Sequence, residues 1–197
     1  FNGGTHMAIE DIGVLRSIPN ITIVEPSDAC ELEQAIPAII NYEGPVYLRM
    51  TRNKIEDIHG ESYKFRLGKA DIIREGKDVT IICSGIMVHE ALKAADELKK
   101  QDIDAEIINL HTIKPIDTDT ILRSVRKTGV IVTAENHNII GGLRAAVAEV
   151  ITLYYPVKIF PVGINDKKGE VGRIDYLMKK FQLTYENIIS AVEKALS

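Results

Sequence analysis

Two side chains in this sequence stand where chemistry could be done, and each lies beside a turn. His6 follows Gly3-Gly4-Thr5 and opens a run in which Ile9, Ile12 and Leu15 recur at helix spacing. An imidazole brought by a loop to the start of a helix can hydrogen-bond a hydroxyl and move a proton near neutral pH. Arg52 comes just after the run Val46-Tyr47-Leu48-Arg49-Met50, where a strand would end and a sheet presents side chains to a cleft. A guanidinium there suits a phosphate or a carboxylate. The plainer reading is a surface arginine in a connecting segment. Arg49 competes for the same role, although an arginine inside a strand more often packs or pairs structurally.

Four further stretches fall at the ends of apolar, β-branched runs: Cys83-Ser84-Gly85, Asn109-Leu110-His111, Glu135-Asn136-His137 and Gly163-Ile164-Asn165-Asp166. In a parallel sheet such positions collect ligands. Cys83-Ser84-Gly85 could expose a nucleophile or an anion site, but it lacks the glycine-x-serine-x-glycine elbow, and a strand-end cysteine is usually core. Glu135, His137 and His111 could form an acid–base cluster or part of a metal site, yet their spacing matches no compact ligand motif. Gly141-Gly142 could cradle a phosphate, or serve only as a tight loop-to-helix junction.

The elements that must position these residues can be read from periodicity. A helix is expected over 6–18, then a strand at Ile21–Val24 closed by Pro26. Asp28, three residues before Glu31, should cap a second helix that Pro37 kinks or shortens. Gly44-Pro45 turns the chain into the strand Val46–Met50, completing a strand–helix–strand unit with parallel pairing. The polar, weakly periodic stretch over 53–66 reads as a connection between domains. Beyond it come an edge strand at Ala70–Arg74, buried strands at Asp78–Cys83, Ala105–Leu110 and Gly129–Ala134, and a last strand at Val157–Phe160. Helices alternate with them, and two more close the chain near 171–181 and 185–196, the second capped by Thr184. Such alternation predicts three-layer α/β/α domains with mostly parallel sheets.

Composition narrows the function classes. The 197 residues are 45% hydrophobic and 26% charged, with a formal net charge of −4, so no electrostatic case exists for nucleic acid or an acidic membrane. Two distant cysteines point to a reducing cytoplasm and away from a disulfide framework or cysteine-rich zinc site. No apolar run reaches membrane-spanning length.

At the candidate residues the sequence resembles the transketolases. The likeness rests on Gly4-Thr5-His6-Met7-Ala8-Ile9-Glu10-Asp11, Leu15-Arg16-Ser17-Ile18-Pro19-Asn20, Glu25-Pro26-Ser27-Asp28 and Leu48-Arg49-Met50-Thr51-Arg52. It continues through Gly68-Lys69-Ala70, Thr112-Ile113-Lys114-Pro115-Ile116-Asp117, and Glu135-Asn136-His137 with Gly141-Gly142. The blocks follow the family's order over nearly the whole chain. The resemblance implies that residues 1–55 are the rear part of a pyrimidine-binding domain, 56–66 a linker and 67–197 a transketolase C-terminal domain. It implies a complete enzyme that uses thiamine diphosphate and a divalent metal (Mg or Ca) to move a two-carbon ketol unit between phosphorylated sugars in the pentose phosphate pathway. In that enzyme the cofactor carries the hard chemistry and the protein positions and polarises.

By the same resemblance, His6 matches the histidine that contacts the donor's hydroxyl groups, and Arg52 the arginine that binds the sugar phosphate. The family commonly has aspartate-glycine-proline before threonine-histidine; Asn2, Gly3 and Gly4 stand there in this chain. Asn2 keeps hydrogen-bonding ability toward the substrate but loses the charge. The diphosphate-and-metal motif, Gly-Asp-Gly followed by asparagine, is not in this sequence. The stretch that would carry the glutamate activating the aminopyrimidine is missing too. The expectation is therefore a C-terminal section, inactive and free of cofactor alone, acting as a homodimer or with the N-terminal section of the enzyme. Two alternatives stay open: the corresponding section of a 1-deoxyxylulose-5-phosphate synthase or a 2-oxoacid dehydrogenase E1 β subunit, and a non-catalytic dimerisation or regulatory module. The Thr112–Asp117 block and Ala8-Ile9-Glu10-Asp11 favour transketolase.

Overall fold

The computed structural model describes residues 2–3, 7–52, 55–60 and 62–197, with backbone alone for residues 2–3. Seven helices and ten strands are assigned within them. The first part holds β1 (Asn2–Gly3), α1 (Asp11–Arg16), β2 (Thr22–Val24), α2 (Ala29–Ile40) and β3 (Val46–Leu48). The second holds β4 (Asp71–Arg74), β5 (Val79–Cys83), α3 (Met87–Lys99), β6 (Ala105–Asn109), β7 (Thr112–Lys114) and α4 (Thr118–Thr128). It continues with β8 (Ile131–Asn138), α5 (Leu143–Tyr154), β9 (Ile159–Ile164), β10 (Val171–Gly172), α6 (Ile174–Lys180) and α7 (Tyr185–Leu196).

A five-stranded sheet in the order β4-β6-β5-β8-β9 is the backbone of the molecule. Its pairs are parallel except for the antiparallel edge strand β4. Side chains alternate across a strand, and the two faces show it. Ile81, Ile107 and Val132 join α3 and α7 in one core, while Ile82, Ile108 and Ile131 join α4 and α5 in the other. Helices therefore cover both faces, as a sheet of such continuous apolar strands requires.

Caps explain where the helices start. The Asp28 carboxylate accepts from Glu31 N at 2.7 Å and opens α2. Glu31 turns back onto Ser27 N, one residue earlier than a standard capping box would have it. α2 runs through Pro37 to Ile40, so the proline does not shorten it. Asp117 caps α4, and Gly129, in the left-handed region at φ 74°, ends it. The Thr184 backbone N–H donates to Asn187 Oδ1 at the start of α7.

The first part does not form a sheet of its own. β2 pairs in parallel with β3 on one side and antiparallel with β7 on the other. The residues that make β7 carry no strand signal in the sequence. Ile12 and Ile23 lie in the same core as Ile113, Ile121 and Leu143. The expected helix over 6–18 is shorter among the described residues, beginning at Asp11, and the second strand ends at Leu48 instead of Met50.

The connecting stretch is irregular but tied down. Asp28 Oδ2 accepts from Ile58 N at 2.7 Å, from His59 N at 2.8 Å, and faces His59 Nδ1 at 2.8 Å. Phe65 N donates to Gln34 Oε1 at 3.0 Å. Among the described residues no helix is long and apolar enough to cross a membrane.

Candidate active-site cleft

A cleft of about 910 Å³ opens at the carboxyl ends of the strands of both parts. Glu25 follows β2, Arg49 and Arg52 follow β3, Gly85 follows β5, and Asn136 lies near the end of β8; all line it. Met7 and Ala8 line it as well. The fold therefore brings Arg52, an exposed side chain, together with the residues that follow His6. His6 itself lies outside the described residues. Asn2 contributes its backbone to β1, which pairs antiparallel with β10 in the register Asn2 to Gly172; its side chain lies outside the described residues.

Arg49 is the polar centre of the cleft wall, with its side chain 12% exposed. Its Nε donates to Asp11 Oδ2 at 2.8 Å, and Nη1 donates to Glu25. Nη2 donates to the carbonyls of Ala8 at 3.1 Å and Asn136 at 2.9 Å. Tyr47 OH reaches the same Asp11 oxygen at 2.7 Å, and Ser84 Oγ donates to Glu25 Oε2 at 2.6 Å. Burial works to raise the Asp11 carboxyl, but Arg49 and Tyr47 outweigh it and hold it below the usual aspartate range. Burial and Asp11 push Tyr47 up to about 12. Arg49 is thus engaged by two carboxylates, and Arg52 lines the same cleft. An arginine between Leu48 and Met50 signals that a carboxylate must lie opposite, but Asp11 and Glu25 carry no marker that names them as the partners.

The other strand-end residues divide. Glu135 is buried and accepts from Leu143 N at 2.6 Å and Arg144 N at 3.0 Å, capping α5 from a neighbouring strand. Burial pushes its carboxyl up to about 8, against those two bonds. His137 Nδ1 bonds the Asn138 carbonyl at 2.6 Å, and its Nε2 accepts from Gly13 N at 3.3 Å; burial lowers its pKa. A side chain on Gly142 would meet Glu135 Oε2 at 2.0 Å, so the glycine pair is a packing junction and offers no room for a phosphate. Cys83 is fully buried, and burial pushes its thiol up, which removes it as a nucleophile.

His111 does not join Glu135 and His137. Its ring nitrogen Nε2 approaches Asp71 Oδ2 at 3.4 Å, and ligand atoms of Glu31, Asp71 and His111 lie within 4.8 Å of one another. That spacing can suit a cation. However, Glu31 already receives Ser27 N at 2.7 Å, Asn109 Nδ2 at 2.9 Å and Tyr63 OH at 2.7 Å. We read the cluster as a buried joint between the first part, the linker and the sheet.

Could the cleft hold a metal-bound diphosphate? Its four lining carboxylates are Asp11, Glu25, Glu170 and Asp175. Arg49 holds the first two, Lys180 pairs with Glu170, and Arg173 lies 3.3 Å from Asp175. Each of these carboxylates thus already has a cationic side chain beside it, an arrangement that does not suit a divalent cation.

The family model for the transketolase C-terminal domain matches residues 68–188, and that for the transketolase pyrimidine binding domain matches residues 1–57. A 6-deoxy-6-sulfo-D-fructose transketolase subunit from Clostridium sp. (strain MSTE9) is 50% identical, over 98% of this chain and 60% of its own length. An apulose-4-phosphate transketolase subunit from Phocaeicola vulgatus is 34% identical, over 94% of this chain and 60% of its own length. A solved structure of a split-gene transketolase, an inactive beta4 tetramer, aligns with a TM-score of 0.92 at 38% identity, covering 98% of this chain and 63% of that one. The chain spans about three-fifths of the length of these relatives.

Proposed function

This chain belongs to the transketolase family, and from that premise we propose that it is the C-terminal section of a transketolase, acting with an N-terminal section supplied by a partner subunit or a longer polypeptide. The family depends on thiamine diphosphate. In this reading the N-terminal section holds the cofactor's diphosphate and its divalent metal, and the present chain supplies the substrate side of the site. Residues 1–55 are the rear of the pyrimidine-binding domain, 56–66 the linker and 67–197 the C-terminal domain. The assembly works in the cytoplasm as a dimer of the complete unit.

The observation that carries the reading is that Arg52 lines the same cleft as Met7 and Ala8, the residues just after His6, although more than forty positions separate them in sequence. In this reading His6 bonds and exchanges protons with donor hydroxyls, and Arg52 binds the terminal anion of the sugar. Asn2 contacts the donor by hydrogen bonding without charge. The names of two relatives, one a sulfo-sugar and one a sugar-phosphate transketolase subunit, support an anionic sugar as the substrate class.

The test is an assay of the chain mixed with its N-terminal section, thiamine diphosphate and Mg²⁺. Xylulose 5-phosphate with ribose 5-phosphate should give two-carbon transfer. Turnover of pyruvate with glyceraldehyde 3-phosphate in its place would assign the chain to the 1-deoxyxylulose-5-phosphate synthase branch. Arg52→Gln should raise KM for the phosphorylated donor about tenfold or more, with a smaller effect on kcat.

A further inference from the structure

Two carboxyl groups meet at one phenol in the joint between the two parts. The hydroxyl of Tyr63, in the connecting stretch, lies 2.7 Å from Glu31 Oε1 and 2.7 Å from Asp71 Oδ2. Glu31 belongs to α2 of the first part, and Asp71 to β4 of the second. Glu31 is fully buried, and the Asp71 side chain is 22% exposed. A phenol carries one hydrogen, so it donates to only one of the two. The other oxygen–oxygen contact is as short as a hydrogen bond. No water fits into it, and bare lone pairs at that distance repel. It needs a second hydrogen, and a carboxyl is the group placed to supply one.

The titratable groups facing the phenol are Glu31 and Asp28 from the start of α2, His59 from the connecting stretch, Asp71 from β4 and His111 after β6. The His59 ring centroid lies 3.9 Å from that of Tyr63, and His59 is itself held by Asp28. His111 Nε2 stands 3.4 Å from Asp71 Oδ2. A proton on either ring would sit outside the two 2.7 Å contacts and would not fill them.

We infer that Glu31 and Asp71 hold one proton between them through Tyr63, and that this shared proton closes the joint between the first part, the linker and the sheet. Two carboxyls sharing one partly buried site do not readily both ionise, and such a pair titrates as a unit. Burial works to raise the Asp71 carboxyl, but His111 and Tyr63 outweigh it and hold it below the usual aspartate range. One proton therefore leaves the pair early and the other late. Burial and both carboxylates push the phenol up, so Tyr63 keeps its own hydrogen throughout. The late proton goes to solvent as pH rises and leaves two charges on one phenol. Its contribution to stability is present below the ordinary carboxyl range and is lost as pH rises through that late step.

Amide hydrogen exchange in the full chain tests this. Tyr63 N donates to the Gly60 carbonyl at 2.9 Å and Phe65 N to Gln34 Oε1 at 3.0 Å, so peptides covering 62–66 report on the joint. Glu135→Gln serves as the parent background, because it removes the pH dependence assigned to Glu135. After correction for intrinsic exchange, protection should fall about tenfold or more between about pH 6 and about pH 9. Glu31→Gln and Asp71→Asn each place an amide donor where the shared proton would be, and either should flatten that fall to less than about twofold. If neither amide variant folds, Tyr63→Phe carries the test: it should show the parent's high-pH protection already at about pH 6. Protection independent of pH in the parent would overturn the inference. So would the parent's slope persisting in an amide variant, or parent-like protection in Tyr63→Phe. Protection that EDTA removes and Zn²⁺ or Mg²⁺ restores at constant pH would show that a cation holds the pair instead, and would overturn it too.

Discussion

Asp28 is the residue on which the joint between the two parts turns. One carboxylate receives Glu31 N, Ile58 N, His59 N and the His59 ring. Burial works to raise its pKa, and those donors outweigh burial and lower it below the ordinary 3.8. A lowered carboxyl contributes stability that is present above its ordinary value and lost as pH falls through the folded one. Glu135 has the opposite sign. Burial raises it to about 8 from 4.5, so its contribution is present below 4.5 and is lost as pH rises toward 8. Denaturant midpoints should therefore fall on the acid side in an Asp28-dependent way and from pH 4.5 toward 8 in a Glu135-dependent way. Glu135→Gln should flatten the second slope; an unchanged slope would remove Glu135 as its source. Asp28→Asn should cost about 1–3 kcal/mol through unpaired donors. Gly142→Ala should cost about 1–3 kcal/mol by overpacking against Glu135 and His137, read as a lower thermal midpoint. At this scale the capping role of Asp28 is legible from its spacing to Glu31, whereas its hold on Ile58 and His59 is not, because that contact forms only when the linker folds back.

At the scale of elements, periodicity locates the buried strands β5, β6 and β8 and the helices between them, since each must bury an apolar face. It fails at β7. Thr112-Ile113-Lys114 becomes a strand because Ile23 and Val24 lie beside it, a tertiary cause with no local trace. The polar run over 53–66 has the composition of a linker, but Tyr63 OH touches both Glu31 and Asp71 at 2.7 Å, and Phe65 stacks near His111 with ring centroids 4.4 Å apart. The linker is thus part of the packing. Limited proteolysis checks this: Asp28→Asn should speed cleavage near residues 57–60 severalfold relative to the parent chain, while equal rates would show that these bonds do not hold the segment.

At the scale of the whole molecule, the two parts share one core. Ile12 and Ile23 pack with Ile113, Ile121 and Leu143, so the chain should unfold in one cooperative transition, and Ile23→Ala should lower its stability by about 2–5 kcal/mol without splitting that transition. The α/β class and the likeness to transketolases are legible before any geometry; the shared core and the contacts of Arg49 need the folded chain, because both depend on which distant residues meet. In the proposed function this chain forms one side of a site completed by the N-terminal section. Calorimetric titration of thiamine diphosphate with Mg²⁺, into the chain alone and into the chain mixed with its N-terminal section, tests it most directly. Saturable binding by the mixture and no resolvable binding by the chain alone are the expected results; tight binding by the chain alone would mean that the cofactor site is already complete in it.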